Sequence, residues 1–259
     1  STVTITLADA HTHLDQYDPS EISAILQRAG EAGVATILVA GVTEASSARA
    51  IELAEHFDGL LAGVGIQPSD VKAPIDDAAY LRLKTLAQSS SKVVCVSEVG
   101  LDFAEGMPDI ELQRQALRQQ VRLARELGLP VVFHSRERRG RLTDHYETLQ
   151  VLREEKVEEI GGAFHYFMWD EEVAEACFAL GLMVSLSKTL LRLPSLQEVV
   201  RDLPLDKIVL ETDSYPQTFK KNRARWTEPK DVRLVADKVA ELKGLTLEEV
   251  AEATSSNLL

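Results

Sequence analysis

Short apolar runs alternate with longer amphipathic stretches from one end of the chain to the other. Thr4 to Ala8 alternates as a half-buried strand does. Thr36 to Ala40, Leu60 to Ile66, Val93 to Ser97, Pro130 to Phe133, Ala163-Phe164, Leu182 to Ser187 and Ile208 to Leu210 are brief apolar runs of strand length. Between them the apolar positions take helical spacing. Asp18-Pro19-Ser20-Glu21 opens the first helix, with Asp18 as N-cap, Pro19 at the first helical position and Glu21 closing a capping box. Ile22, Ile25, Leu26 and Ala29 form its apolar face and Gly33 ends it. Further helices are predicted over Glu44 to Phe57, Asp77 to Gln88, Asp109 to Leu127 (stopped by Gly128), Thr143 to Glu155 and Asp170 to Leu180. A short piece follows at Ser195 to Arg201, and two closing helices at Pro229 to Leu242 and Leu247 to Ala253.

Eight strands, each followed by a helix, predict an α/β fold: a single (β/α)8 TIM-type barrel spanning residues 1–259 as one domain. Its active site would lie at the C-terminal ends of the strands. A doubly wound open sheet is the alternative, but it would bind ligand at one switch point. Here polar residues stand at the ends of many strands.

Composition narrows the class. The chain is 45% hydrophobic, enough for a large core, and 28 basic against 41 acidic residues give a net charge of -13. That charge argues against a broad surface coating nucleic acid, though not against a local basic site. Cys95 and Cys177 form no disulfide framework and read as buried thiols of a reducing compartment. No run approaches the ~20 apolar residues of a membrane span. The start carries no secretory signal pattern. The expectation is a cytoplasmic protein with no membrane contact and no obligate protein partner.

The chemistry collects at the ends of the strands. His11 and His13 close the first run, and residues i and i+2 of an extended segment share a side, so both imidazoles can face one point. Glu98 ends the fourth run, His134 the fifth, His165 the sixth, and Asp213 follows the eighth. Four histidines and two carboxylates exceed one four-coordinate site and suit two ions sharing a carboxylate. Glu98 is the natural bridge. His11, His13 and Asp213 would hold one ion, because the first and eighth strands of a closed barrel are neighbours. His134 and His165 would hold the other. His56 and His145 fall in predicted helices and are expected on the surface. Arg136, Arg138, Arg139 and Arg141 come directly after His134, and Lys220, Lys221, Arg223 and Arg225 follow Asp213. Such a basic rim points to a phosphorylated substrate. Trp169 and Trp226, near these loops, could stack on bases.

Five stretches together resemble the TatD family of metal-dependent deoxyribonucleases, in the amidohydrolase superfamily. They are Asp9-Ala10-His11-Thr12-His13-Leu14-Asp15, Ser97-Glu98-Val99-Gly100-Leu101-Asp102-Phe103, Pro130-Val131-Val132-Phe133-His134-Ser135-Arg136, Phe164-His165-Tyr166-Phe167 and Leu210-Glu211-Thr212-Asp213-Ser214. The resemblance implies one or two divalent ions (Zn2+, Mn2+ or Mg2+) on the six positions named above. It also implies hydrolysis of phosphodiester bonds by a metal-activated water, typically as an exonuclease on DNA. Asp213 and Glu98 would be catalytic, with Asp213 taking the proton of the water, and Arg136 would meet the substrate phosphate. The chain departs from the family pattern at Gln67, at Tyr215-Pro216 and at Lys188. A superfamily hydrolase of a small phosphoester, lactone or amide is the alternative activity.

Overall fold

The computed structural model describes residues 4–258; residues 1–3, on which the expectation of no signal pattern rests in part, and residue 259 lie outside it. Among the described residues, eight strands form one sheet in the order of the chain: β1 (Leu7–Thr12), β2 (Val34–Ala40), β3 (Leu60–Val64), β4 (Val93–Asp102), β5 (Val131–Arg136), β6 (Gly162–Phe164), β7 (Leu182–Leu186) and β8 (Ile208–Leu210). Sequential order of parallel strands is the order of a (β/α)8 barrel; a doubly wound sheet would reverse at a switch point. The helices between and after them are α1 (Ile22–Glu31), α2 (Glu44–His56), α3 (Asp77–Gln88), α4 (Ile110–Leu127), α5 (Thr143–Glu154), α6 (Glu171–Ala179), α7 (Pro194–Asp202), α8 (Val232–Lys243) and α9 (Leu247–Leu258). None of them is long and apolar enough to cross a membrane.

The chain forms two compact units. The first holds the residues up to Val39, Tyr166–Glu171 and Val184 onward. Within it β8 returns to β1. Asp213 N–H donates to the His11 carbonyl at 2.9 Å, His13 N–H donates to the Ser214 carbonyl at 2.7 Å, and Thr12 and Ser214 form a parallel bridge. Helix α9 packs on β1 and β8. Near its end the Asn257 amide donates to the carbonyls of Leu205 and Ile208 at 2.9 and 2.8 Å, which fixes the start of β8. At the other end of β1, Asp18 caps a single 3-10 turn (Pro19–Glu21) by accepting from Ser20 N–H. The predicted capping box does not form. The Glu21 carboxylate pairs instead with Arg223 at 2.9 Å, because an ion pair is available to it there.

The second unit, Ala40–His165 with Glu172–Met183, carries β3 to β6. Its organising helix is α4. Asp109 caps it through the backbone N–H of Glu111, and Gly128 closes it in the left-handed conformation at φ +68°. The buried face of α4 contains two glutamines among Ala116, Leu117, Val121 and Ala124. Buried amides need partners on both oxygen and nitrogen. Gln120 clamps the Ile66 peptide (2.8 and 3.1 Å), and Gln113 clamps the backbone N–H and C=O of Asp102 (2.7 and 3.0 Å). The helix therefore fixes the far end of β4 as well as covering the sheet.

Strands β4 and β5 run further than their apolar runs predict. The expected stops at Ser97 and Phe133 are passed, and pairing continues through Gly100↔His134 and Asp102↔Arg136. The reason is alternation. Beyond Glu98, the fully buried Val99 and Leu101 keep one face apolar, so the strand persists although its other face turns polar. Glu98 and His134 thus lie inside strands.

Behind this unit, the buried Glu155 binds Arg122 (2.9 and 3.0 Å) and Arg118 (3.2 Å), joining α5's end to α4. Burial alone would raise the Glu155 carboxyl, but the two guanidiniums hold it below the ordinary carboxylate range. A depressed pKa contributes stability that is present above the unfolded value and lost as pH falls through the folded one. Glu155→Gln is expected to cost on the order of 1–2 kcal/mol at pH 7, since the arginines are partly solvated, and less below pH 4. Urea unfolding at the two pH values checks this; an equal loss at both would assign the effect to packing.

Candidate metal centre

In the first unit, β1 and the segment after β8 bring His11, His13 and Asp213 together. Asp213 Oδ1 lies 3.1 Å from His13 Nε2 and 3.8 Å from His11 Nε2. The two imidazole rings stand edge to face with centroids 5.0 Å apart. The backbone bridges between His11–His13 and Asp213–Ser214 set this spacing. Asp213 has φ +54°, a conformation uncommon for a residue with a side chain, as does Tyr166 at +59° just after β6. Such strain clusters where a side chain has to be aimed.

Two carboxylates absent from the expected set support this group. Asp9 is fully buried and accepts from Thr212 N–H (3.0 Å), Thr212 Oγ1 (2.5 Å) and His11 N–H (3.2 Å). Burial pushes its carboxyl well above the usual range, against the pull of those bonds. Glu211, also fully buried, accepts from Ser185 Oγ (2.5 Å) and Tyr166 N–H (3.1 Å). Both stand two positions before a predicted ligand; for Asp9 and His11, both in β1, that is the period that puts side chains on one face, and it is the signal that could have found Asp9.

In the second unit, Glu98, His134 and His165 converge: one donor atom from each lies within 4.8 Å of the others. Glu98 Oε2 is 3.5 Å from His134 Nδ1, and Glu98 Oε1 is 3.7 Å from His165 Nε2. The donor set fits a divalent ion. Two donors about 2.1 Å from one ion, at angles of about 90–110°, stand about 3.0–3.4 Å apart, close to the separations in both units. Imidazole and carboxylate suit zinc, manganese or iron.

His134 shows how its ring is aimed. Its Nδ1 faces Glu98, and its Nε2 donates to Asp102 Oδ2 at 2.9 Å. Arg136 Nε donates to the other oxygen, Asp102 Oδ1, also at 2.9 Å. Burial would raise the Asp102 carboxyl, yet His134 and Arg136 together draw it below its ordinary value, so it stays an acceptor. A carboxylate behind a ligating imidazole fixes tautomer and orientation. Asp102→Asn is therefore expected to weaken metal binding by about 10- to 100-fold. Titration of chelator-stripped protein with Zn2+ measures it; unchanged affinity would leave Asp102 serving Arg136 alone.

The expected basic rim divides. Arg136 is half exposed, and among the described residues only its Nε is engaged in a side-chain bond. Arg138 is committed to Asp144 through two guanidinium nitrogens (3.1 and 2.7 Å), and Arg139 and Arg141 stay exposed. Arg223 pairs with Glu21 and Glu228 and covers the ring of Trp226 at 4.4 Å. Trp169 packs edge-on to Phe167 at 5.8 Å. Of the departures, Gln67 donates to Asp70 (2.6 Å), and Lys188 meets Thr227 and Asp231. His56 is exposed as expected, but His145 is wholly buried. Ser135 faces away from the His134 side of β5 and binds His145 Nδ1 and Thr148 on α5 (2.9 and 2.8 Å), while Glu137 meets His145 Nε2 at 2.7 Å. That polar contact between strand and helix draws the imidazole inward, and burial holds it below the usual histidine range.

Residues 8–259 match the model of a family described as TatD related DNase. The chain is 33% identical over 256 residues to the uncharacterized metal-dependent hydrolase YabD of Bacillus subtilis, covering 97% of this chain and 96% of YabD. It is 30% identical to the deoxyribonuclease TATDN3 of Homo sapiens, covering 98% and 93%. The crystal structure of YjjV, a TatD homolog from Escherichia coli, superposes with a TM-score of 0.86 at 29% identity, covering 98% of this chain and 97% of that one.

Proposed function

The chain belongs to the TatD-related DNase family of metal-dependent hydrolases, and from that premise we propose that it is a deoxyribonuclease that shortens DNA from one end. The observation that carries this reading is the half-exposed Arg136, held by the same carboxylate that aims His134. It puts a phosphate-binding fork beside a candidate ligand. The proposed ligands are His11, His13 and Asp213 in the first unit and Glu98, His134 and His165 in the second, which would hold one or two divalent ions. Zn2+, Mn2+ and Mg2+ are the candidates. Bound there, the ions supply Lewis-acid activation of water and of the phosphoryl group.

The chain's own residues do the rest. Asp213 orients the attacking water and takes its proton. The outer nitrogens of Arg136 neutralise the phosphoryl oxygens as the P–O bond breaks. Asp102 keeps both His134 and Arg136 in register. The buried free thiols Cys95 and Cys177, pushed up to about 12, are unreactive and suit the cytoplasm.

The test is cleavage of an end-labelled single-stranded oligonucleotide by chelator-stripped protein, with Mg2+, Mn2+ or Zn2+ restored and a Glu98→Ala control. The expected result is a metal-dependent ladder shortening from one end and absent in the control. No cleavage with any ion would overturn the reading and turn the search to a small phosphoester, lactone or amide.

A further inference from the structure

One charged feature of the first unit is left unused by this chemistry. A cleft of about 620 Å³ is lined by Lys188, Lys220, Lys221, Arg225 and Lys230, with Asp231 as the acidic residue of its wall. Asp231 is already engaged: Glu228 N–H donates to its Oδ2 at 3.0 Å, and Lys188 Nζ lies 3.6 Å from the same oxygen. The nearby Glu228 is neutralised by Arg28 and Arg223, at 2.6 and 3.2 Å. Lys220, Lys221, Arg225 and Lys230 make no ion pair among the described residues. Four cations without an ion pair around one cleft are conspicuous in a chain of net charge -13.

The cleft is built. Lys188 follows the C-terminal end of β7, and the other cations lie on the segment after Asp213, so one wall follows β7 and the other follows a candidate metal ligand. That loop is pinned. Asn222 caps its turn by accepting from Ala224 N–H at 3.0 Å, and Trp226 Nε1 donates to the Lys220 carbonyl at 3.3 Å. Gln217 Oε1 accepts from Thr227 N–H at 2.8 Å, and Tyr17 Oη donates to the Thr227 carbonyl at 3.0 Å. Like charges held together by a fixed backbone repel one another, and an anion relieves that repulsion without having to order the loop first.

We propose that this cleft is a phosphate subsite that holds the sugar-phosphate backbone of a polynucleotide away from the bond being cut. The inference rests on the nuclease reading and adds where the strand would be held beyond the bond being cut. Four cations exceed the charge of one carboxylate or one phosphodiester and match several consecutive phosphates. Lysine supplies most of them, and its ammonium is a point charge on a flexible stem, suited to phosphates presented at varied angles. Such a subsite contributes to strand affinity and leaves bond breaking to the metal centre.

The double variant Lys221→Ala/Arg225→Ala tests it, since both side chains are exposed and their loss leaves the loop's hydrogen bonds in place. The first measurement is binding of a fluorescein-labelled phosphorothioate oligo(dT), which keeps the backbone charge, to the metal-loaded protein across a salt series. The variant is expected to bind about tenfold more weakly, with a log–log salt slope shallower by about 1.4, or 0.7 for each lost phosphate contact. The second is turnover. KM for oligo(dT) is expected to rise with little change in kcat, so the preference for the oligonucleotide over bis(p-nitrophenyl) phosphate, a diester with one phosphate, falls about tenfold. Equal affinity and slope in variant and wild type would overturn the subsite, while cleavage by the wild type would leave the nuclease reading standing. Binding that depends on the two residues, in a protein that cuts no DNA, would support the subsite and overturn the nuclease reading. A wild type that does not bind oligo(dT) would overturn the subsite.

Discussion

Glu98→Ala is expected to lower turnover by at least about 10³-fold and to leave the fold intact. Glu98 is the carboxylate that both His134 and His165 face, at 3.5 and 3.7 Å. Without it two imidazoles remain in that group, too few for tight binding of a divalent ion. The fold survives because the lost group is a buried charge held for binding. In the metal-free protein its removal relieves a desolvated carboxylate, so the melting temperature stays level or rises. What disappears is the stabilisation that metal confers on the native state by mass action. The measurement is a pair of thermal melts, with and without Mn2+ or Zn2+, beside a metal count per chain. A variant that retains two ions and wild-type turnover would remove Glu98 from the centre.

Gly100→Ala is expected to be the most damaging single methyl in the chain. Gly100 lies in β4 opposite His134 of β5, at φ +148°. A Cβ there would land on the carbonyl oxygen and carbon of His134, which are backbone atoms that no rotamer change can move aside. The strands would have to part where the pairing runs through a candidate ligand. The expected cost is about 4–5 kcal/mol, within reach of the whole stability of an ordinary domain. Turnover should fall in whatever folds, since His134 shifts with its carbonyl. Urea unfolding with activity on the surviving fraction checks both; an unchanged midpoint would mean that the two strands yield there at little cost.

The sequence carried the elements wherever a residue's local preference and its tertiary role coincide. Helix α3 and strand β8 lie where the apolar period puts them, and α4 has the cap and the glycine stop that Asp109 and Gly128 announce. The ends of β4 and β5 were less legible, because an apolar run stops at the first charge whereas a strand stops where pairing stops. The candidate ligands stood out because histidines and acids recurred at strand ends. Their supports did not. Asp9, Asp102 and Glu211 look like any acid near a strand end until their donors are known. Gln113 and Gln120 look like surface glutamines of an amphipathic helix. His145 was expected outside for the same reason, and only Ser135 and Glu137, ten and eight positions earlier, draw it inward. Arginine number likewise says nothing of commitment: Arg138 belongs to Asp144 and Arg223 to Glu228, while Arg136 keeps two nitrogens for solvent or substrate.

The bridges from His11 and His13 to Asp213 and Ser214 also set an order of events during synthesis. The first two candidate ligands leave the ribosome about 200 residues before the third. Until β8 emerges, β1 has one unpaired edge and its two imidazoles lack their carboxylate. At ordinary elongation rates of about 5–20 residues per second that interval is on the order of 10–40 seconds. A chain truncated after β7 would therefore expose a sticky strand edge and lack the carboxylate of its first candidate metal group. Quality control that recognises open β edges would see the unfinished chain and pass the finished one.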